Sequence, residues 1–286
     1  MRYNSDIQFV LIAYGESQSY VESAKYQILR SWSWYKHHSV CVVTDKPDLF
    51  LKFPVRVLAL NSNQRKLWSV PSLVGADHFG IKIKALRWAI ESSPCSRNLL
   101  LDVDMRWIRD PSMLRDLISR RSAIMYQDEG LIFNSKNQSN RRFEEALRGS
   151  KHQITSDGYA ISQHSRMQGS AVIGLHREHL TILDESYDLF TALNPIVPAH
   201  TVEQFALSEA LRLSKIHVFF AKKYTTHWST SGKKMYADLV LSKFFANYCD
   251  KDFDQLVKLA CGVRIDRPVR VLLKQKAKAW VGKSQF

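Results

Sequence analysis

Two carboxylates stand one residue apart at the end of a short apolar segment. Leu99, Leu100 and Leu101 lead directly into Asp102-Val103-Asp104, and such a run is typical of a buried strand. Two carboxylates this close in a semi-buried place do not both stay ionised easily unless a cation lies beside them. Because Mg²⁺ and Mn²⁺ bind carboxylate oxygens together with phosphates, one interpretation is a metal site that holds a diphosphate. The other is a strand-end turn with two solvated aspartates.

The elements before this motif alternate between strands and helices. Apolar runs and helical spacing predict strands at 7–13, 40–44, 55–60 and 98–101, and helices at 19–34 and 81–92. This alternation implies right-handed crossovers and a mostly parallel sheet. Open α/β sheets bind ligands at the carboxyl ends of their strands. We therefore expect the turns that follow the first two strands to share one crevice with the two aspartates.

The second half of the sequence is less regular, but it continues the same mixture of elements. Its patterns predict strands at 122–126, 170–175 and 215–220, and helices at 203–213 and 236–248. No repeat or clear linker interrupts the chain. We therefore expect one α/β domain over residues 1–250, followed by a basic tail over residues 251–286.

Composition excludes several classes of protein. The chain of 286 residues is 45% hydrophobic and 24% charged, which is enough apolar material for a large core and excludes intrinsic disorder. Its four cysteines form no CxxC pair, so zinc-type spacing is absent and a reducing, cytoplasmic location is expected. The opening segment lacks the continuous apolar stretch of a signal peptide, and we expect no export by a cleaved signal.

Positive charge is concentrated near the C-terminal end. The chain has 41 Lys and Arg against 27 Asp and Glu, a net charge of +14, which suits nucleic acid, an anionic membrane or a phosphate-bearing substrate. Residues 264–286 hold seven basic residues and one acidic residue. Their spacing predicts a basic amphipathic helix, which is typical of peripheral contact with an anionic membrane. The alternative is a terminal helix that packs on the domain and leaves its basic face in solvent.

Several motifs together resemble one family. The lysine-bearing segment 82–86, followed by the strand that ends in Asp102 and Asp104, is similar to metal-dependent nucleotide-sugar glycosyltransferases of the GT-A fold, of the glycogenin and lipopolysaccharide-galactosyltransferase kind. The likeness runs from about residue 9 to residue 234, and it includes segments 168–175, 203–204 and 227–234. It implies a single GT-A (Rossmann-like) domain.

The resemblance also implies roles for individual residues. The ligands of a bound Mn²⁺ or Mg²⁺ would be Asp102, Asp104 and His227. The catalytic or acceptor-side residues would be Glu203 and Gln204. The nucleotide-sugar donor would contact Ala13, Tyr14, Gly15, Asp45, Lys82, Val103, Gly169, Ser170 and Lys233.

Some of these residues also have an ordinary structural interpretation. Tyr14 is equally suited to cap the edge of a strand, and Asp45 to begin a turn before Pro47. Glu203 suits the N-terminus of a helix because its charge complements the helix dipole. A lone His227 is more often a structural or surface residue than a metal ligand.

The function expected from the resemblance is transfer of a sugar from a nucleoside-diphosphate sugar, with a UDP-sugar as the expected donor, to a hydroxyl of a glycan or glycolipid. A phosphohydrolase with an aspartyl nucleophile is one alternative, but such enzymes carry their DxD motif in the first strand, not after two strand–helix units. A nucleic-acid-binding protein without enzymatic activity is another. No RNA-binding or zinc-finger signature supports it, and the basic excess lies in the tail.

Overall fold

A computed structural model describes residues 6–34, 39–148, 159, 161–228 and 230–266. The strands in these residues are, in chain order, β1 (Ile7–Ala13), β2 (Ser39–Thr44), β3 (Arg56–Ala59), β4 (Arg97–Leu101), β5 (Met105–Trp107), β6 (Ser122–Met125), β7 (Asp128–Leu131), β8 (Arg166–Gln168), β9 (Val172–His176), β10 (His217–Phe220) and β11 (Thr225–His227). The helices are α1 (Gln18–Trp34), α2 (Ser62–Trp68), α3 (Phe79–Glu91), α4 (Ser112–Arg115), α5 (Gln138–Leu147), α6 (Leu180–Leu193), α7 (Val202–Leu213), α8 (Ser231–Asn247) and α9 (Phe253–Cys261).

Seven of the strands form a central sheet with the order β10-β6-β9-β4-β1-β2-β3. Strand β9 is antiparallel to both of its neighbours, β4 and β6, and every other neighbouring pair in this sheet is parallel. Two small antiparallel pairs, β5 with β11 and β7 with β8, form separate ribbons. The predicted α/β class with a mostly parallel central sheet is therefore confirmed.

Both faces of the sheet are covered, which explains why its central strands are apolar at nearly every position. Successive side chains along a strand point to opposite faces. Val10 and Leu100 belong to the core that includes Leu86 of α3. Phe9 and Leu99 belong to a second core that includes Ile28 of α1. Because β1 and β4 pack against a core on each face, the position of their carboxyl ends is fixed.

The C-terminal part of the described chain packs on α1. The rings of Phe253 and Trp32 meet edge to face, 5.2 Å apart, and Ala260 and Ile265 are buried in one cluster with Tyr26. The division of the chain at residue 250 stays a prediction. Beyond residue 266, the predicted basic helix lies outside the described residues. Among the helices that are described, none has both the length and the hydropathy to cross a bilayer.

Helices α2, α3 and α6 approach one another closely at Gly80. A Cβ at this position would lie 2.5 Å from the carbonyl oxygen of Trp68 and 2.7 Å from Cε1 of Phe190. We expect Gly80→Ala to lower the free energy of unfolding by about 1–3 kcal/mol, although alanine in an unhindered helix stabilises by roughly 0.5–1 kcal/mol. Chemical denaturation would measure the change.

Gly262→Ala is the matched control for this substitution. The nearest atom to a Cβ at Gly262 is the carbonyl oxygen of Leu259, at 3.6 Å, which is an ordinary contact. If the Gly80→Ala protein were as stable as this control, the close approach at Gly80 would not limit the packing of the three helices.

Candidate functional site

A cavity of about 520 Å³ lies at the carboxyl ends of β1 and β4. Several residues predicted for the site line it together: Tyr14, Gly15, Lys82, Asp102, Val103 and Asp104. It is completed by Ile12, Tyr20, His78, Phe79 and Lys234. Ala13 is buried at the end of β1, with 1% of its surface exposed. The volume is typical of a small-molecule site, and in this doubly wound sheet the cavity has the expected position.

Lys82 is the centre of the polar network in this cavity. Its Nζ lies 2.9 Å from Oδ1 of Asp102, and it donates a hydrogen bond of 2.8 Å to the carbonyl oxygen of Ser170. Glu203 completes the network, because its Oε1 is 3.7 Å from the same Nζ and its Oε2 accepts a 2.9 Å hydrogen bond from Oγ of Ser170. One ammonium group therefore lies between two carboxylates.

The electrostatics of the cavity leave an excess of negative charge. Burial raises the pKa of Asp102 to about 6, and the charges of Asp104 and Glu203 add to this increase while Lys82 opposes it. Burial by itself lowers the pKa of Lys82, but the nearby carboxylates, that of Asp102 above all, outweigh it and raise this pKa above the ordinary value. Lys82 is therefore charged. Lys234 also lines the cavity, and its positive charge helps to lower the pKa of Asp104. Two lysines thus face three acids, Asp102, Asp104 and Glu203, and such a set has room for a further cation.

Asp104 is paired with His227 through the ribbon of β5 and β11. His227 stands opposite Met105 in this ribbon, which brings its Nε2 to 3.3 Å from Oδ2 of Asp104. The backbone N–H of Trp228 also donates to the Asp104 carbonyl oxygen, at 3.1 Å. Burial raises the pKa of Asp104, but its hydrogen bond to His227 and the charge of that ring lower the pKa below its usual value.

The residues predicted as metal ligands fit such an ion by their chemistry. Carboxylate oxygens and an imidazole nitrogen are donors that Mn²⁺ accepts, and Asp104 and His227 already lie side by side. Asp102 is held by Lys82 instead. Within the described ranges, no three His, Cys, Asp or Glu side chains are grouped as a ready metal site. The structure thus places two of the predicted ligands, Asp104 and His227, in contact, and it pairs the third, Asp102, with Lys82.

The turn after β1 is held in place by Asp45. Oδ2 of Asp45 accepts hydrogen bonds from the Gly15 N–H at 3.1 Å and from Nη1 of Arg65 at 2.9 Å. Gly15 has a φ of 105°, a backbone conformation that residues other than glycine rarely adopt. The Tyr14 hydroxyl donates to the carbonyl oxygen of His78 at 3.1 Å, and burial raises the pKa of Tyr14. Asp45 shapes the turn, whereas Tyr14 and Gly15 reach the cavity.

A second polar group forms around Glu129 of β7. Nε2 of Gln204 donates to Oε2 of Glu129 at 3.1 Å, and Nε2 of Gln127 donates to its Oε1 at 3.2 Å. A Cβ at Gly169 would lie 3.0 Å from that Oε1, so the glycine leaves room for the carboxylate. Glu129 was not predicted from the sequence, because a single glutamate in an irregular segment gives no signal.

Of the two adjacent lysines at the start of α8, Lys234 lines the cavity and Lys233 is exposed. The Lys234 Nζ lies 4.8 Å from the centre of the Tyr20 ring. The sequence predicted a helix from residue 236 and a donor contact from Lys233. Because α8 begins at Ser231, both lysines lie within the helix, and its rotation directs Lys234 inward. Lys234 and Tyr20 are therefore additional candidates for the site.

Comparison with solved structures finds similar proteins that are glycosyltransferases. An active-site mutant of LgtC has a TM-score of 0.49 and 13% identity over 75% of this chain and 72% of that chain. The galactosyltransferase LgtC in complex with donor and acceptor sugar analogues has a TM-score of 0.45 and 11% identity over 74% and 72%. Mouse xyloside xylosyltransferase 1, in its apo form, has a TM-score of 0.43 and 10% identity over 75% and 84%.

No family model matches the sequence, and no curated protein matches it. Likeness at these TM-scores and identities does not assign a function by itself. The function is therefore inferred from the residues of the site.

Proposed function

We propose that this protein is a glycosyltransferase that moves a sugar from a nucleoside-diphosphate sugar to a hydroxyl group of a glycan or glycolipid. The observation that supports it most is the composition of the cavity at the ends of β1 and β4. Tyr14 offers an aromatic face to a base, and Lys82 and Lys234 offer positive charge to a diphosphate. Asp102 and Asp104 lie in the same cavity, where carboxylates would repel a diphosphate unless a cation lay between them.

We infer that this cation is Mn²⁺ or Mg²⁺ and that Asp102, Asp104 and His227 hold it. When bound, a divalent ion acts as a Lewis acid that neutralises charge on the departing diphosphate. The excess of the three carboxylates of Asp102, Asp104 and Glu203 over the two lysines, Lys82 and Lys234, supports the inclusion of a further cation. His227 contributes a nitrogen donor from a distant part of the chain, and its contact with Asp104 keeps the two side chains aimed at one place.

The remaining residues bind the donor, position other side chains or face the acceptor in the proposed reaction. Lys82 and Lys234 stabilise the charge that develops on the leaving diphosphate, and the exposed Lys233 adds positive charge next to Lys234. Ala13, Gly15, Val103, Gly169 and Ser170 provide backbone that comes close to the donor, with Asp45 holding the turn. Glu203 orients Lys82 and Ser170. Gln204, bonded to Glu129, is proposed to face the acceptor.

Three finer points belong to the same proposal: UDP as the nucleotide, a lipid-linked acceptor, and a cytoplasmic location with peripheral contact to an anionic membrane. The membrane contact would be made by residues 264–286, where the sequence places six of the fourteen net positive charges. Near an anionic leaflet, each lysine or arginine contributes about 1 kcal/mol. Such a contact would bring the cavity to acceptors that are attached to lipid.

The first test is a thermal-shift series with nucleoside diphosphates and nucleotide-sugars, each with Mn²⁺ and with EDTA. We expect one nucleotide to raise the melting temperature only when Mn²⁺ is present. A ligand at one hundred times its Kd adds about 2.7 kcal/mol of stability, which is readily measured. Failure of every nucleotide to shift the melting temperature would contradict the proposal. Oligonucleotide binding that weakens steeply with salt would then favour a nucleic-acid-binding protein.

A further inference from the structure

A second cavity, of about 550 Å³, lies between α2, α3 and α6. We call it the aromatic groove, and we define it by Trp68 on α2, by Lys84, Arg87, Trp88 and Glu91 on α3, and by Asp184 and Tyr187 on α6. None of these residues lines the cavity described above. The groove is therefore a separate feature of the surface.

The position of the groove on α3 shows that it opens away from the cavity at the ends of β1 and β4. A residue in an α-helix is rotated by about 100° from the preceding one. Lys84, Arg87, Trp88 and Glu91 follow one another at i, i+3, i+4 and i+7, which places them along one side of the helix. Lys82 precedes Lys84 by two residues and is rotated from it by about 200°. Helix α3 thus lines the two cavities with different sides.

The walls of the groove are closely packed. The rings of Trp68 and Trp88 meet edge to face, with their centres 6.2 Å apart. Gly80 has no Cβ and so lets α3 approach the backbone of Trp68 and the ring of Tyr187, which lies 3.2 Å from the position a Cβ would occupy. Both tryptophans also pack against the main core. The aromatic surface is consequently held in place before any ligand arrives.

The groove is electrically balanced although the chain as a whole is strongly basic. Arg87 is held by two acids, with its Nε 2.6 Å from Oδ1 of Asp184 and its Nη1 2.9 Å from Oε2 of Glu91. Lys84 lies over the ring of Tyr187, with its Nζ 4.0 Å from the ring centre. Two basic and two acidic side chains line the groove, while the chain carries a net charge of +14. An anionic ligand would gain little here.

We propose that the aromatic groove binds a neutral oligosaccharide. A sugar ring has an apolar C–H face that packs on an aromatic side chain, and hydroxyl groups at its edge that bond to carboxylates and ammonium groups. The groove offers both: indole rings on α2 and α3, with fixed polar side chains beside them. A polyhydroxylated ligand without charge satisfies these groups and meets no unbalanced charge. The inference goes beyond sugar transfer and does not require the donor chemistry.

The test is isothermal titration calorimetry of the full-length protein with maltohexaose, cellohexaose and mannohexaose, and with a sulfated heparin hexasaccharide for comparison. We expect at least one neutral hexasaccharide to bind at millimolar concentration. Trp88→Ala should weaken this binding by about tenfold, and Glu91→Ala by roughly threefold. Because Glu91 is exposed and its removal leaves the core intact, it keeps the test valid if Trp88→Ala fails to fold.

Three further variants test whether the hexasaccharide binds at the groove or elsewhere on the protein. Trp34→Ala and Glu145→Ala alter exposed residues on α1 and α5, and both should bind like the wild type. Asp104→Asn should also bind the neutral hexasaccharide normally, even though it is expected to lose metal-dependent nucleotide binding. The inference would be overturned if no neutral hexasaccharide bound, if the sulfated one bound more tightly, or if Asp104→Asn abolished binding while Trp88→Ala and Glu91→Ala did not.

Discussion

Replacing Asp104 by asparagine is expected to lower the release of nucleoside diphosphate from the donor by about a hundredfold or more. The carboxylate of Asp104 is the acid in contact with His227, so in the proposed site it is a direct ligand of the metal. Asparagine keeps the size of the side chain but loses its negative charge. The backbone carbonyl that accepts from Trp228 is unaffected, and the fold should be preserved.

The measurement is the rate of diphosphate release from the nucleotide-sugar found in the binding series, as a function of Mn²⁺ concentration. The Asp104→Asn protein should need more Mn²⁺ for half-maximal rate, and Asp102→Asn should behave similarly. Asp116→Asn is the matched control, because Asp116 lies on the surface, where its carboxylate pairs with Arg115. Wild-type rates in both Asp102→Asn and Asp104→Asn would rule out the proposed metal site.

The central sheet was predictable because its strands are buried on both faces. Residues 7–13 and 98–101 are apolar except at Gln8 and Asn98 and show no regular alternation, and the structure has strands at Ile7–Ala13 and Arg97–Leu101. The small ribbons were not predictable. Strands β5 and β11 have three residues each, and they pair across more than one hundred positions of the chain. Too few residues take part for a periodic pattern, so tertiary contacts decide their structure.

The site was predictable only in part, for a similar reason. The ends of β1 and β4 identify Tyr14, Gly15 and Asp102 because parallel strands end at one edge. The resemblance to a family contributed Lys82 and Glu203, which the structure places on either side of Ser170. The choice of Lys234 over Lys233 depends on where α8 begins. The side chain of Thr230 makes no capping hydrogen bond at that start. The sequence therefore does not indicate which of the two lysines faces the cavity.

Replacing Lys82 by methionine is expected to lower the free energy of unfolding by about 3 kcal/mol. Methionine keeps the apolar stem but removes the charge between Asp102 and Glu203, whose side chains are 33% and 5% exposed. Removing one partner of a buried ion pair costs about 3–5 kcal/mol, because the other charge is left unpaired. Partial exposure of Asp102 places the expected value at the lower end of this range. Urea denaturation in EDTA would measure it without nucleotide or metal.

A double-mutant cycle with Asp102→Asn tests the origin of this loss. If the charge is responsible, the double variant should recover about 1–3 kcal/mol relative to the sum of the two single changes. Lys251→Met is the matched control, because Lys251 makes an ion pair of 2.8 Å with Asp250 at the surface. Exposed pairs contribute little, and this variant should unfold like the wild type.

The dependence on pH distinguishes charge from packing in the same variant. The pKa of Asp102 is about 6 in the folded protein, above its unfolded value, so the folded state takes up a proton first as pH falls. Without Lys82 this pKa should rise further, since the opposing positive charge is gone. The instability of Lys82→Met should therefore shrink between about pH 8 and about pH 6, because Asp102 becomes neutral first in the variant. Below the wild-type pKa of about 6 it should change little, since Asp102 is then neutral in both proteins. A loss of stability that stayed constant over this range would mean that Lys82 acts through the packing of its stem, and that the carboxylates tolerate one another without it.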